Sequence, residues 1–407
     1  MASVQRRRFL YLCVGGSTLV FGCGADPAGE GDSDGETGES GDSEIGAETG
    51  AETQGCLDPL AAGSVLSALE FLGEGQAAVG EPQGEGLDGR LALDLGTLDA
   101  GSLTTANEDF FVRTAAPAQL DLESPWTVSL SGLVEAEVTL GMAELAALPQ
   151  HTRVVLLECS GNGNNRAFGL ISVAEWSGVL VADVIAEAGV LDAATAVSIV
   201  GFDEHAQPSP DAGCSWVYRL SELAEAGAML VTHMNGVPLP LDHGQPVRLI
   251  APGWFGCCNP KWVDGLRLVD DTEPASSQMI EFASRTHQSA AHALASDYAP
   301  GLMQQAAMPV RVEKWALEGE LVYEIVGIMW GGSVLTDSLQ IHFNGGPGAA
   351  VEVCPAQETT DVWTLWRYTW RPEAIGEYAI VMSVDPSIPA VRLDSGYYQR
   401  RVMVDEV

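Results

Sequence analysis

The stretch Leu156-Leu157-Glu158-Cys159-Ser160-Gly161-Asn162-Gly163-Asn164-Asn165-Arg166 constrains this chain more than any other part of it. The run Arg153 to Leu157 is β-branched and apolar, and predicts a buried strand. Its end delivers a single cysteine into a Gly/Asn-rich loop that closes on an arginine. Gly and Asn tolerate left-handed backbone angles, so such a loop folds tightly around a bound group and offers it amide hydrogens. A soft thiolate presented in this way suits a transition metal better than it suits packing. On this stretch alone, a buried cysteine beside an ordinary surface turn is the competing reading.

The remainder of the chain supplies the context. At 407 residues there is room for two domains of ordinary size. With 19 Lys+Arg against 56 Asp+Glu, the formal net charge is −37. Nucleic acid is excluded as a partner, because neutralising phosphates requires basic patches. Such a surface attracts a cationic protein partner, or serves simply for solubility outside the cytoplasm. Residues 1–23 read as an export signal. Gln5-Arg6-Arg7-Arg8-Phe9-Leu10 fits a twin-arginine pattern, and Val20-Phe21-Gly22-Cys23 resembles a lipoprotein cleavage box that would leave a lipid on Cys23. Twin-arginine export carries folded proteins, often with a cofactor in place. Residues 24–55 hold ten acidic residues, no base and almost nothing apolar, and predict a solvated tether. The expected location is therefore periplasmic, or membrane-anchored through that lipid.

Beyond the tether, Val65 to Leu72 reads as a short helix. Strands are predicted over Trp126 to Gly132, Val134 to Leu140, Val197 to Phe202, Val247 to Ala251 and Gly265 to Val269. Short helices are predicted over Met142 to Leu148, Leu180 to Ala188 and Leu220 to Ala226. Met229 to Met234 turns back across Asn235-Gly236, a strong hairpin signal. Short helices among many strands indicate an α+β first domain, residues 105–272, rather than a doubly wound sheet. From Met308 onward strand follows strand, and Trp330, Trp363, Trp366 and Trp370 promise an aromatic core. Residues 300–407 thus predict an immunoglobulin-like all-β sandwich, of a kind used for association rather than chemistry.

Four segments carry the chemistry. Asn107-Glu108-Asp109-Phe110-Phe111-Val112-Arg113 precedes the first sheet, and Cys159 to Arg166 and Trp176-Ser177-Gly178-Val179 follow. The fourth is His243-Gly244-Gln245-Pro246-Val247-Arg248-Leu249-Ile250-Ala251-Pro252-Gly253-Trp254-Phe255-Gly256, continuing to Lys261-Trp262-Val263. In a chain this poor in bases, scattered surface charge does not place Arg113, Arg166, Arg248 and Lys261 in such segments. The combination resembles the sulfite oxidase family of molybdopterin enzymes, from about Asn107 to the C-terminus. The Ser-Gly-Asn-Gly form of the cysteine loop is similar to the bacterial sulfite and sulfane dehydrogenases.

The resemblance implies a molybdopterin-binding domain followed by a dimerisation domain, hence a homodimer. It makes Cys159 the protein's thiolate ligand to molybdenum, beside the dithiolene of the pterin. It places His243, Arg248 and Lys261 on the pterin and its phosphate, where charge-assisted donors serve best, and has Asn162 steady the loop. Arg113, Arg166 and Trp176 would line the pocket of a small anionic sulfur substrate. The animal members carry a tyrosine after the Lys-Trp strand. Here that stretch is Phe282-Ala283-Ser284-Arg285-Thr286-His287-Gln288, which leaves His287 or Arg285 as candidates to reach the metal site. The implied reaction is oxidation of sulfite or a related sulfur oxyanion, with two one-electron transfers to a c-type cytochrome. No haem-attachment motif occurs in this sequence, so the acceptor would be a separate protein. Two other readings are a molybdopterin-dependent reductase of protein methionine sulfoxide and a cofactor-free surface-binding lipoprotein. Of the remaining cysteines, Cys13 belongs to the signal. One or two disulfides are expected among Cys56, Cys214, Cys257, Cys258 and Cys354, with Cys214 meeting Cys257 or Cys258.

Overall fold

The structure is a computed structural model that describes residues 63–407, apart from 75–77, 86, 102, 115–119, 203–213, 337 and 385–396. The export signal, the acidic tether, Cys13, Cys23 and Cys56 lie outside the described residues.

The architecture is mixed α/β, with many strands and, among the described residues, α-helices of only six or seven residues. Two sheets build the part that carries the cysteine loop. One runs Cys214–Arg219, Ala196–Gly201, Gly265–Val269, Thr127–Gly132, Val138–Gly141. Its pairings are antiparallel except that between Gly265–Val269 and Thr127–Gly132. The other runs Val237–Pro238, Met229–Met234, Ile171–Leu180, Gln150–Glu158, with Arg248–Ile250 also paired to Met229–Met234. The Asn235-Gly236 turn has φ of 50° and 75°, the left-handed pair that a two-residue hairpin requires.

The last 100 residues contribute most of a β-sandwich. Ala306–Leu317, Glu320–Trp330, Thr364–Trp370 and Glu352–Val353 form one sheet, and Ala349–Ala350, Leu339–Phe343, Gly376–Val384 and Arg400–Val404 the other. Val312, Ile325 and Trp366 from the first sheet share a buried core with Ile341, Ile380 and Val402 from the second. The edge strand of the first sheet is Gly63–Ala68, paired with Ala306–Leu317. This corrects the helix expected from Val65: a ladder formed with a partner some 250 residues away overrides the local pattern.

The four tryptophans do not make one core. Trp366 and Trp370 lie between the sandwich sheets. Trp330 and Trp363 join Phe168, Leu156 and Tyr398 in the large core of the cysteine-bearing part. The junction is polar as well: Leu156 N–H donates to Asp361 O at 2.6 Å, Trp363 Nε1 to Leu103 O at 2.9 Å, and Arg153 pairs with Asp361 at 2.5 Å.

Candidate active site

Gln150–Glu158 alternates between covered and exposed side chains over its first half, and then Val155 to Glu158 are buried without interruption. Val155, Leu156 and Leu157 are at most 1% exposed, and burial of each stabilises by about 1.5–3 kcal/mol, which fixes where Cys159 leaves the sheet. The loop beyond it is closed by its own main chain. Cys159 N–H donates to Leu170 O at 2.9 Å, and Asn162 N–H to Cys159 O at 2.8 Å. Buried Asn162 joins the two ends: its Oδ1 accepts from Leu170 N–H at 3.1 Å, and its Nδ2 donates to Glu158 Oε1 at 3.2 Å. Ala167 and Phe168 both take positive φ, at 48° and 58°, and turn the chain back. The Gly161 amide points at the sulfur, with its nitrogen 3.4 Å from Sγ.

Cys159 stands half-buried at a cavity of about 910 Å³. The same cavity is lined by Arg113, Asn162, Arg166, His243, Arg248, Lys261, Arg285 and His287. Among the described residues, six Lys and Arg side chains face it (Arg90, Arg113, Arg166, Arg248, Lys261, Arg285), against four acidic ones (Asp88, Glu158, Asp242, Glu281), in a chain of 19 bases and 56 acids. The local charge balance is thus the reverse of the molecule's.

Trp176 is the exception, and the expectation that it lines the pocket is corrected. It is fully buried beneath the cavity wall, donating Nε1–H to Val155 O at 3.2 Å and meeting the edge of Phe110. The Arg248 guanidinium lies 5.1 Å above its ring, so Trp176 acts on the cavity by holding that arginine.

Arg248 and Lys261 are only 5% and 7% exposed. Arg248 donates to His243 O at 3.1 Å and to Asn259 O at 3.4 Å, while Lys261 donates to Arg113 O and Asp242 O, each at 3.3 Å. Gly244 brings the two together. Its φ is +104°, and a Cβ there would stand 3.0 Å from Lys261 Cβ and 3.1 Å from Arg248 Cβ. His243 stacks edge-on against Phe110, and burial lowers its pKa to about 4. Asp242 opposes that shift, whereas Arg248 and Lys261 reinforce it. The ring is therefore neutral at pH 7. Unfolding lets it take up a proton below pH 6.5, so stability falls as pH drops from 6.5 towards 4. The loss is at most about 1.4 kcal/mol per pH unit. Denaturation of wild type and His243→Asn across this window should diverge by that slope; parallel curves would exclude a buried neutral imidazole.

Burial raises the Cys159 pKa, and Cys257 and Glu158 add to the rise, while the Gly161 amide and Arg113 oppose it. Cys257 is a second half-buried thiol on the cavity. The expected bridge between Cys214 and Cys257 or Cys258 does not form: the Cys257 and Cys258 sulfurs stand 3.8 Å apart, and among the described residues it is Cys354 that is disulfide-bonded. Cys214 instead donates to Gln278 Oε1 at 2.6 Å. Fully buried Cys258 has its pKa pushed well up by burial. In cofactor-free protein a small thiol reagent should label Cys159 and Cys257 at least roughly tenfold faster than Cys258, and bound metal should protect Cys159 alone.

Among the cavity residues that escaped the sequence reading are two adjacent tyrosines. Tyr397 and Tyr398 come from just before the strand Arg400–Val404 of the sandwich. Tyr397 donates its hydroxyl to Asn162 O on the cysteine loop. The only sequence signal was a Tyr-Tyr pair ahead of a predicted strand, which says nothing about distance to residue 159. Tyr298, the tyrosine nearest the Lys-Trp strand in sequence, is buried away from the cavity, beside His292.

The donor set fits molybdopterin. Among the described residues, no cluster of three His, Cys, Asp or Glu side chains is arranged to hold a metal by itself. A soft thiol presented by the Cys159 loop together with buried cations suits a metal that arrives with its own sulfur ligands and a phosphate. Fold and site together define a molybdopterin-binding oxidoreductase, and residues 114–277 match the family model "Oxidoreductase molybdopterin binding domain". Chicken sulfite oxidase is 27% identical over 316 residues, covering 72% of this chain and 68% of that protein. Human mitochondrial sulfite oxidase is 26% identical, and the chain spans 52% of its length. The NADPH nitrate reductase of Aspergillus niger is 33% identical over 188 residues, 42% of this chain and 21% of that one. Among solved structures, the sulfane dehydrogenase SoxCD from Paracoccus pantotrophus superposes with a TM-score of 0.58 at 18% identity, covering 90% of this chain and 96% of that one. The chain thus carries a molybdopterin-binding oxidoreductase domain, is similar to the sulfite oxidases over most of its length, and is a molybdenum oxidoreductase.

Proposed function

We propose that this enzyme oxidises sulfite or a closely related sulfur oxyanion and passes the electrons to a c-type cytochrome. The carrying observation is the concentration of cations around the Cys159 loop in a chain of net charge −37. Bound molybdenum cofactor would supply the oxygen-atom transfer and the two one-electron steps. Cys159 is the proposed protein ligand to the metal. Neutral His243, with Arg248 and Lys261, is assigned to the pterin and its phosphate. Arg113 and Arg166, with Arg285 and His287 beside the loop, are assigned to the oxyanion. A dianion approaching this molecule meets an unfavourable overall field, so binding depends on guanidinium groups that can pair with its oxygens two at a time. Arg285 is well placed for that: its Nη1 lies 3.5 Å from where a Cβ on Gly161 would be.

The acidic exterior favours a basic acceptor and predicts an encounter rate that falls steeply with ionic strength. The proposed setting is extracytoplasmic, reached by twin-arginine export with a lipid anchor at Cys23, and the proposed assembly is a homodimer. Metal analysis combined with a sulfite:ferricytochrome c assay tests the reading. Protein that carries molybdenum but reduces cytochrome c with no sulfur oxyanion would refute the substrate assignment.

A further inference from the structure

We propose that the Glu158 carboxylate, gripped by Trp330 and Tyr398 of the sandwich, is a positioning device that sets where the Cys159 sulfur stands; this rests on the reading of Cys159 as the metal ligand. Glu158 is 2% exposed. Trp330 Nε1–H donates to its Oε2 at 2.8 Å, Tyr398 hydroxyl to its Oε1 at 2.6 Å, and Asn162 Nδ2 to Oε1 at 3.2 Å. The two sandwich donors are 172 and 240 residues away in sequence. They are themselves fixed: Trp330 is fully buried, and the two rings meet edge to face at 4.9 Å.

Stability does not explain this arrangement. A buried acid with buried donors is commonly no more stabilising than apolar side chains of the same volume, and an apolar residue would fill this place in the surrounding core. What the arrangement supplies is a directional restraint on the residue that precedes the sulfur. On its other side the Gly256 backbone runs close to the same main chain. A Cβ on Gly256 would lie 3.2 Å from Glu158 O and 3.6 Å from Cys159 Cα. Side-chain hydrogen bonds hold the peptide towards the sandwich, and the Gly256 backbone closes it off. Movement at Glu158 therefore passes to Cys159. Trp330 and Tyr398 act through Glu158 and are positioning residues, not catalytic ones.

The test compares holoenzyme of wild type, Trp330→Phe, Tyr398→Phe and the control Trp366→Phe. The control removes a buried indole donor to Ile328 O, at 3.0 Å, inside the sandwich core. Tyr398→Phe removes a single hydroxyl and guards against a Trp330 variant that fails to fold. Expected for the two test variants are altered Mo(V) g-values and molybdenum release to a chelator accelerated roughly tenfold to a hundredfold. In full-length cofactor-free protein, the rate of Cys159 alkylation should change in the same two variants. The control should lower Tm while leaving all three readouts at wild-type values. Test variants indistinguishable from Trp366→Phe would overturn the proposal. A wild type that binds no molybdenum would instead overturn the cofactor reading, and the alkylation rates would then decide the positioning claim alone.

Discussion

Cys159→Ser should fold, remain soluble and lose the Mo(V) resonance together with at least about a hundredfold of turnover. Serine offers a hard, protonated oxygen where the metal takes a soft thiolate, a larger change than disturbing any outer partner, for which tenfold to a hundredfold losses are usual. Cys159 is half-buried at a cavity and touches only the margin of the apolar core, so the near-isosteric substitution leaves Val155, Leu156 and Leu157 packed. Thermal unfolding should stay close to that of wild type. The decisive measurement is electron paramagnetic resonance of partly reduced protein, with molybdenum content determined on the same sample. A variant with both resonance and turnover intact would show that the metal is held elsewhere.

Arg248→Gln is expected to act on the cofactor rather than the substrate. The change removes a buried charge that lies over Trp176 and donates to two main-chain carbonyls beside Lys261. Charge-assisted hydrogen bonds contribute about 1.5–3 kcal/mol each, so cofactor affinity should fall roughly tenfold to a hundredfold. Arg113→Gln provides the contrast: Arg113 is exposed, and its loss should raise KM for the oxyanion at nearly constant molybdenum content. Equal cofactor loss in both variants would mean that the division between pterin-binding and substrate-binding cations is drawn in the wrong place.

Much of this site could be read from the chain because its parts are local. A strand followed by a Gly/Asn loop positions Cys159 through nearby φ angles and main-chain bonds. The run from His243 to Lys261 brings its basic groups together across a single left-handed glycine. What escaped depends on long-range packing. Trp176 sits in a strand buried on both faces, and no pattern in its neighbours reveals that its ring lies under Arg248 instead of in the cavity. Val65 to Leu72 reads as a short helix, yet its first residues belong to the strand Gly63–Ala68 because Ala306–Leu317 offers an edge. Tyr397 and Tyr398 reach the cysteine loop only once the sandwich is docked. The Cys214 bridge failed for a similar reason: the thiol expected to meet Cys257 or Cys258 donates to Gln278 instead.

The division of the tryptophans between two cores bears on how separable this molecule is. Because Trp330, Trp363 and Tyr398 complete the apolar interior that also contains Leu156 and Phe168, a chain cut before Ala306 would leave that interior open to water. The carboxy-terminal sheets therefore cannot be exchanged with a relative's as an independent module. Any graft would have to bring matching counterparts for these three aromatic side chains.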